Sequence, residues 1–270
     1  MSSLVNQRKP GGTPRLESSM TTGLAGYWLM NEEGGGTLQD SGPLNNPLLM
    51  TVAGSWGPGL FEAAAFNCGN RAVYAASQKN IGITGGSART ISAWINPTNS
   101  DTLVDNIVSW GTNGVDTDCG FYVNVTNAGD VYWYFNGDDL RTVSGGIITP
   151  GIWQHICGVF YGGTAGTSSI GIFKNGLAQA LIKEGASNSP NTGDSALRIG
   201  SIAVVTPGQN FRGSIDNVAV FRRALSASEV MALYANPFCL LARQRPRFIQ
   251  GIRRVIGEDD GEWINLTQPA

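Results

Sequence analysis

The side chains able to do chemistry in this 270-residue chain are few and scattered. Cleaving a glycosidic bond takes two carboxylates roughly 5–9 Å apart, one on each side of the scissile oxygen. The densest acidic run is Glu258-Asp259-Asp260-Gly261-Glu262. Its intervening residues are Asp and Gly, not the apolar residues of a buried strand, so it reads as a solvated acidic turn. The one histidine, His155, alternates with Trp153, Cys157 and Val159, the pattern of a hydrogen-bonded structural residue on a central strand. No G-x-S-x-G elbow accompanies it, so a hydrolytic triad lacks its parts. Cys68, Cys119, Cys157 and Cys239 lie far apart beside apolar residues, with no C-x-x-C pair. Free buried thiols fit better than a zinc ribbon. A non-enzymatic protein is expected.

Binding chemistry is better represented. A sugar's apolar face stacks on an exposed aromatic ring, with amides and carboxylates for its hydroxyls. Trp110, Tyr132, Tyr134, Asp138 and Asp139 supply those types, the last two in a loop. On 130–136 both alternating faces carry aromatics, so one set must look away from the core. Trp94, Trp133 and Trp153 are expected inside it. Asp216 sits where Val218 and Val220 share its face, a costly place for a carboxylate unless it is paired or coordinated. Backbone amides or an arginine such as Arg223 would satisfy it. Near the C-terminus, Arg243, Arg245, Arg247, Arg253 and Arg254 interleave with Pro246, Phe248, Ile249 and Ile252. Charge plus small apolar anchors suits docking on a protein surface. Acids follow at once and aromatics are few, so nucleic acid is not an expected partner.

These residues need a scaffold, and composition restricts which. Hydrophobic residues make up 41% and charged residues 14%, which excludes a disordered polyelectrolyte and a basic nucleic-acid binder. Gly counts 37 without a Gly-X-Y period, so many tight turns are implied. The first residues lack an apolar signal core and no run is long enough to span a bilayer, so neither export nor a membrane is expected. Residues 1–22 are Ser/Thr/Pro/Gly-rich and carry three cations against one anion; 23–235 carry ten against fifteen; 236–270 carry five against four. An acidic body between two mildly basic arms suits docking on something larger.

The body reads as short strands between Gly/Asn/Pro turns. Predicted strands fall at 24–30, 47–53, 62–67, 90–96, 103–110, 120–126, 130–136, 152–161, 169–175, 177–183, 196–200 and 214–223. In 121–125, Phe121, Val123 and Val125 face one way and Tyr122 and Asn124 the other. Asn175-Gly176 signals a two-residue hairpin. One helix is predicted at Ser226–Tyr234, with Ser226 and Glu229 as a capping box. The fold class is all-β, a sandwich or jelly roll.

Six segments in order resemble the laminin G-like, concanavalin A-like lectin/glucanase domains: GLAGYWLMNEEGGGTLQDSG, TISAWINP, IWQHICGVFYGG, FKNG, ALRIG and FRGSIDNVAVFRRALSASEVMALY. The resemblance covers about 23–235 and implies a jelly roll with extended arms at 1–22 and 236–270. It implies a structural Ca²⁺ near Asp40, Asn45 and Asp216, since hard oxygen donors suit that ion. Glucanases of this fold carry their acids as E-x-D-x-E on one strand, and only the tail run 258–262 matches. The arms make the chain similar to laminin G-like proteins of tailed-phage particles. That likeness implies a capsid decoration, head-fibre or tail protein made in the host cytoplasm. The partners it implies are capsid or other virion proteins docked through Arg243, Arg245, Arg247, Phe248, Arg253 and Arg254, further copies of the chain, and a weakly bound cell-surface glycan. A soluble or secreted lectin is the alternative, and a glycoside hydrolase of the same fold comes third.

Overall fold

The computed structural model describes residues 16, 19–52, 55–61, 64–70, 73–98, 104–112, 114, 117–124, 129–143, 146–185, 189–202 and 209–241. Among them seventeen strands form two antiparallel sheets packed as a sandwich, with one helix. The fold is all-β. The strands are β1 (Leu24–Trp28), β2 (Thr37–Leu38), β3 (Leu48–Met50), β4 (Trp56–Pro58), β5 (Ala64–Asn70), β6 (Ala75–Asn80), β7 (Arg89–Pro97), β8 (Val104–Gly111) and β9 (Asp118–Asn124). They continue with β10 (Asp130–Tyr134), β11 (Asp138–Thr142), β12 (Gln154–Phe160), β13 (Ile170–Lys174), β14 (Leu177–Ala178), β15 (Leu181–Gly185), β16 (Ala196–Ile199) and β17 (Arg212–Phe221). The back sheet runs β14-β13-β12-β7-β17-β5-β4, with β1 also on β17; the front sheet runs β15-β11-β10-β9-β8-β16-β6-β3-β2.

Alternation along each strand fills the space between the sheets. Ile91, Ala93 and Ile95 of β7 and Ile156 of β12 meet Phe121, Val123, Trp133 and Leu140 of the front sheet in one core. Arg89 is fully buried there, its guanidinium 5.5–5.9 Å from the ring centres of Trp110, Phe135 and Phe160. Its donors reach the carbonyls of Ser87 and Gly85 and the Thr192 hydroxyl, and those bonds together with the ring faces offset the loss of water. Gly158 faces Trp133 so closely that a Cβ would lie 2.4 Å from the indole.

The back sheet is covered on its other face as well, which is why β12 is buried at every residue. Helix α1 (Ala227–Ala235) lies over it, with Val230 and Leu233 buried against Tyr27, Cys157, Phe173 and Phe221. The Ser226–Glu229 capping box starts the helix as expected. Leu240 and Leu241 join this second layer, and Tyr27 Oη donates to the Pro237 carbonyl at 2.9 Å. The packed body therefore runs past the expected boundary at 235 and includes Leu240 and Leu241.

Other expectations need correction. The run 177–183 is two strands in different sheets: β14 extends the hairpin at Asn175-Gly176, and β15 crosses to the front sheet beside β11. Both hairpin residues are left-handed, φ +50° and +79°, as the two-residue turn demands. Asp138 and Asp139 open a strand and not a loop. Trp94 packs in the outer layer against Phe61 and Tyr234, and Trp153 is half-buried, so of the three tryptophans only Trp133 fills the inter-sheet core. Asp216 does not share a face with Val218 and Val220. Asn217 (φ +49°) sits in a bulge between Asp216 and Ala219 that turns the strand over. Ile215, Val218 and Val220 point inward, while Asp216 is paired in register with Trp94.

Candidate functional site

The outer face of the front sheet gathers the polar and aromatic groups. Phe121 and Val123 of β9, and Val131 and Trp133 of β10, turn into the core. The residues between them look outward by strand alternation: Asp118, Gly120 and Tyr122 on β9, and Asp130, Tyr132 and Tyr134 on β10. Register places Asn106 of β8 opposite Tyr122, Tyr122 opposite Tyr132, and Tyr132 opposite Arg141, with Asp139 opposite Glu184. Tyr122 and Tyr132 stack at 4.7 Å with 10° between their planes, and both are buried. Tyr134 meets Tyr122 edge-on at 5.9 Å and is half-buried. Between them Gly120 leaves a gap: a Cβ there would sit 3.4 Å from the Tyr134 ring and 3.6 Å from Asn106 Oδ1.

The charges on this face are mostly acidic. Arg141 donates from Nη1 to Asp130 at 2.9 Å and from Nε to Glu184, so its guanidinium is held between two carboxylates. Asp118 is 2% exposed, and burial pushes its carboxyl up to about 6, with the neighbouring Asn136 amide pulling part of the way back. Burial raises the Tyr134 hydroxyl to about 12, aided by the negative fields of Asp139 and Asp118, and raises Tyr122 as well. Among the buried acceptor atoms on this face, Asp118 Oδ1 and Asn106 Oδ1, like Asp130 Oδ1, receive no hydrogen bond. An unmet buried acceptor costs about 1–3 kcal/mol, so such atoms mark where a donor belongs.

Of the residues expected to bind sugar, Tyr132, Tyr134 and Asp139 come together here. Trp110 does not: it is fully buried on the inner side of β8, its indole N–H bonded to the Ile83 carbonyl at 2.9 Å. The Asp138 side chain, the arginines and Phe248 of the C-terminal arm, and the acidic run 258–262 lie outside the described residues. Asn106, Asp118, Arg141 and Glu184 were not anticipated. For Asp118 the signal was present, because the outward set read for Tyr122 and Asn124 extends back through Gly120 to it. Arg141 and Glu184 required recognising β11 and β15.

His155 lies on the other side of the molecule. Its Nε2 is 2.9 Å from Ser92 Oγ, and its ring lies 5.4 Å from Trp94 and 6.0 Å from Tyr234. Helix α1 covers this outer layer, burial lowers the imidazole to about 3, and Nδ1 has no partner. A Ser–His contact is present, but among the described residues no carboxylate orients the ring. Beside it a cavity of about 10 Å³, lined by Tyr27, Ser92, Trp94, Asn217, Ala219, Leu233 and Pro237, has room for about one water. The ring is buried and hydrogen-bonded on a central strand, as the pattern implied.

The concanavalin A-like lectin/glucanases superfamily model matches residues 69–231, more than half of the chain. The chain belongs to that superfamily. No curated protein matches its sequence. Among solved structures, domain 4 of an extracellular arabinanase from Geobacillus stearothermophilus, in complex with arabinotriose, aligns at 16% identity and a TM-score of 0.55, covering 78% of this chain and 98% of that one. Trypanosoma rangeli sialidase aligns at 14% and 0.56, covering 87% of this chain but 36% of the sialidase. The binding domain of Paraclostridial Mosquitocidal Protein 1 aligns at 16% and 0.54, covering 80% and 52%. At these identities the likeness is one of fold.

Within this concanavalin A-like domain two of the expected calcium ligands, Asp40 and Asn45, do not fit an ion. Asp40 Oδ1 accepts from the amides of Tyr27 at 2.8 Å and Gly42 at 2.6 Å, and Oδ2 from that of Asn46 at 2.8 Å. The Asn45 carbonyl accepts from the Lys79 ammonium at 3.3 Å, and the Asn46 side chain bonds the Lys79 backbone both ways. Oxygens turned toward N–H donors and a lysine present the wrong surroundings for a cation. Arg223, proposed as a partner for Asp216, pairs with Glu229 at 2.6 Å. Among the described residues no group of three or more His, Cys, Asp or Glu converges to hold a metal.

Proposed function

We propose that this concanavalin A-like domain is a non-catalytic display module. It is held to a phage particle by its terminal arms and offers the outer face of its front sheet to saccharides. What supports the reading is where the chain ends enter the body. Leu16 bridges Leu241, and both pack with Met20, Phe238 and Leu240 on the covered back sheet. The polar face built on β8, β9, β10 and β11 is on the opposite sheet. A body mounted from behind leaves that face open to a partner. Many copies on one particle would turn weak contacts into strong adhesion.

Against catalysis, the outward positions of β9 read Asp118-x-Gly120-x-Tyr122, a single carboxylate where an E-x-D-x-E strand has three. The test is co-sedimentation with phage-like capsids lacking this protein, using the full chain and a 16–241 variant. Pelleting of the full chain alone supports attachment through the arms, and equal pelleting of both refutes it. The second reading is a free-standing lectin. It is favoured by the fact that the polar face belongs wholly to the packed body. Saccharide binding by 16–241, with no capsid association of the full chain, would establish it.

A further inference from the structure

Resting on that reading of the front face, we infer that its ligand is an amine-bearing saccharide, and that acidic sugars are excluded. Two independent features point this way. The first is a pair of buried acceptors without donors. Asn106 is fully buried and Asp118 2% exposed, and neither Asn106 Oδ1 nor Asp118 Oδ1 receives a hydrogen bond. They flank Gly120: Asp118 lies two residues away on the same side of β9, and Asn106 Oδ1 is 3.6 Å from the position a Gly120 Cβ would take. What completes such a pair is a donor, and an ammonium carries three.

The second feature is the engagement of the cations. A sugar carboxylate or phosphate would need an arginine or lysine. Arg141 is held by Asp130 and Glu184 on both sides. Arg198 donates to the Ile202 carbonyl at 3.0 Å and lies over the Tyr74 ring at 5.2 Å. Among the described residues of this face Asp118, Asp130, Asp139 and Glu184 outnumber these two, so they repel anions. The half-buried Tyr134 ring, beside Gly120, presents the π surface that an ammonium or a sugar's apolar face prefers.

The test uses the full chain and three oligosaccharides of similar length at low salt, read by titration calorimetry: a glucosamine oligomer, its N-acetylated neutral counterpart and a galacturonate oligomer. The glucosamine oligomer should bind about tenfold tighter than the neutral one, as charge-assisted hydrogen bonds do. The galacturonate oligomer should not bind. Asp118→Asn should remove the tenfold preference; Asp139→Asn, at a more exposed position on the same face, should reduce it. Galacturonate binding as tight as glucosamine, or an amine preference unchanged in both variants, overturns the inference while leaving saccharide binding intact. Binding of none of the three overturns the saccharide reading and the inference with it.

Discussion

Burying His155 between Ser92, Trp94 and Tyr234 fixes the direction in which acid acts on the fold. In the unfolded chain the imidazole titrates near 6.5, and in the fold near 3. Over that interval the unfolded state binds the proton and the folded state does not, so stability is complete above 6.5 and declines as pH falls toward 3. The loss should be on the order of 5 kcal/mol, visible as a falling melting temperature, and His155→Gln should flatten that slope. Asp118 works in the opposite sense. Its folded pKa of about 6 lies above the unfolded 3.8. Its contribution is therefore present below about pH 4 and lost as pH rises through 6. Asp118→Asn should raise stability at pH 7.5 by about 1 kcal/mol and leave it unchanged at pH 4, as chemical denaturation at the two pH values would reveal. A variant less stable at pH 7.5 would mean that the carboxylate has a partner there.

The elements that were legible in sequence are those specified locally. Ser226 and Glu229 state the helix start outright, and Ser226→Ala should cost about 1 kcal/mol in urea denaturation. Glu229 adds a pH signature: Arg223 first, then the Ser226 bonds, hold its carboxyl at about 2, so its share is present above 4.5 and lost as pH falls toward 2. Asn175-Gly176 likewise announces a turn that needs two left-handed residues. Short strands such as β2 and β4 escaped because two or three residues carry no period, and the division of 177–183 into β14 and β15 escaped because one apolar run continues through a change of sheet. The Asn217 bulge was invisible for a different reason. Its Nδ2 donates to the Pro237 carbonyl, twenty residues on, at 3.1 Å, so a tertiary contact supports the flip that sent Asp216 to the other face. Gly158 belongs here too. Nothing in its neighbours says that an indole will fill the Cβ position, yet Gly158→Ala should cost about 1–3 kcal/mol in the same assay.

At the scale of the molecule, the order of six segments was enough to read a sandwich, because that order is a topology. The candidate face was half legible: Tyr132, Tyr134 and Asp139 lie on adjacent strands, whereas Asn106 and Glu184 reach the face only through long-range pairing. The boundaries make a further prediction. Removing 1–15 and 242–270 should leave the melting temperature within a few degrees of the full chain. Cutting to 23–235 deletes Leu240, Leu241 and the Pro237 carbonyl that accepts from Tyr27 and Asn217, and should lower it markedly. Equal melting temperatures for the two truncations would mean that this layer contributes little.

The Leu16–Leu241 bridge also has a mechanical meaning. Because the first and last strands of the packed chain, β1 and β17, are hydrogen-bonded neighbours, a pull on both arms enters the body at almost one point. Tension passing from arm to arm bypasses the front sheet. Any attachment made beyond this bridge would hold the body as a pendant, not as a link in a chain, and a pull would strip the bridge before it deformed the front sheet.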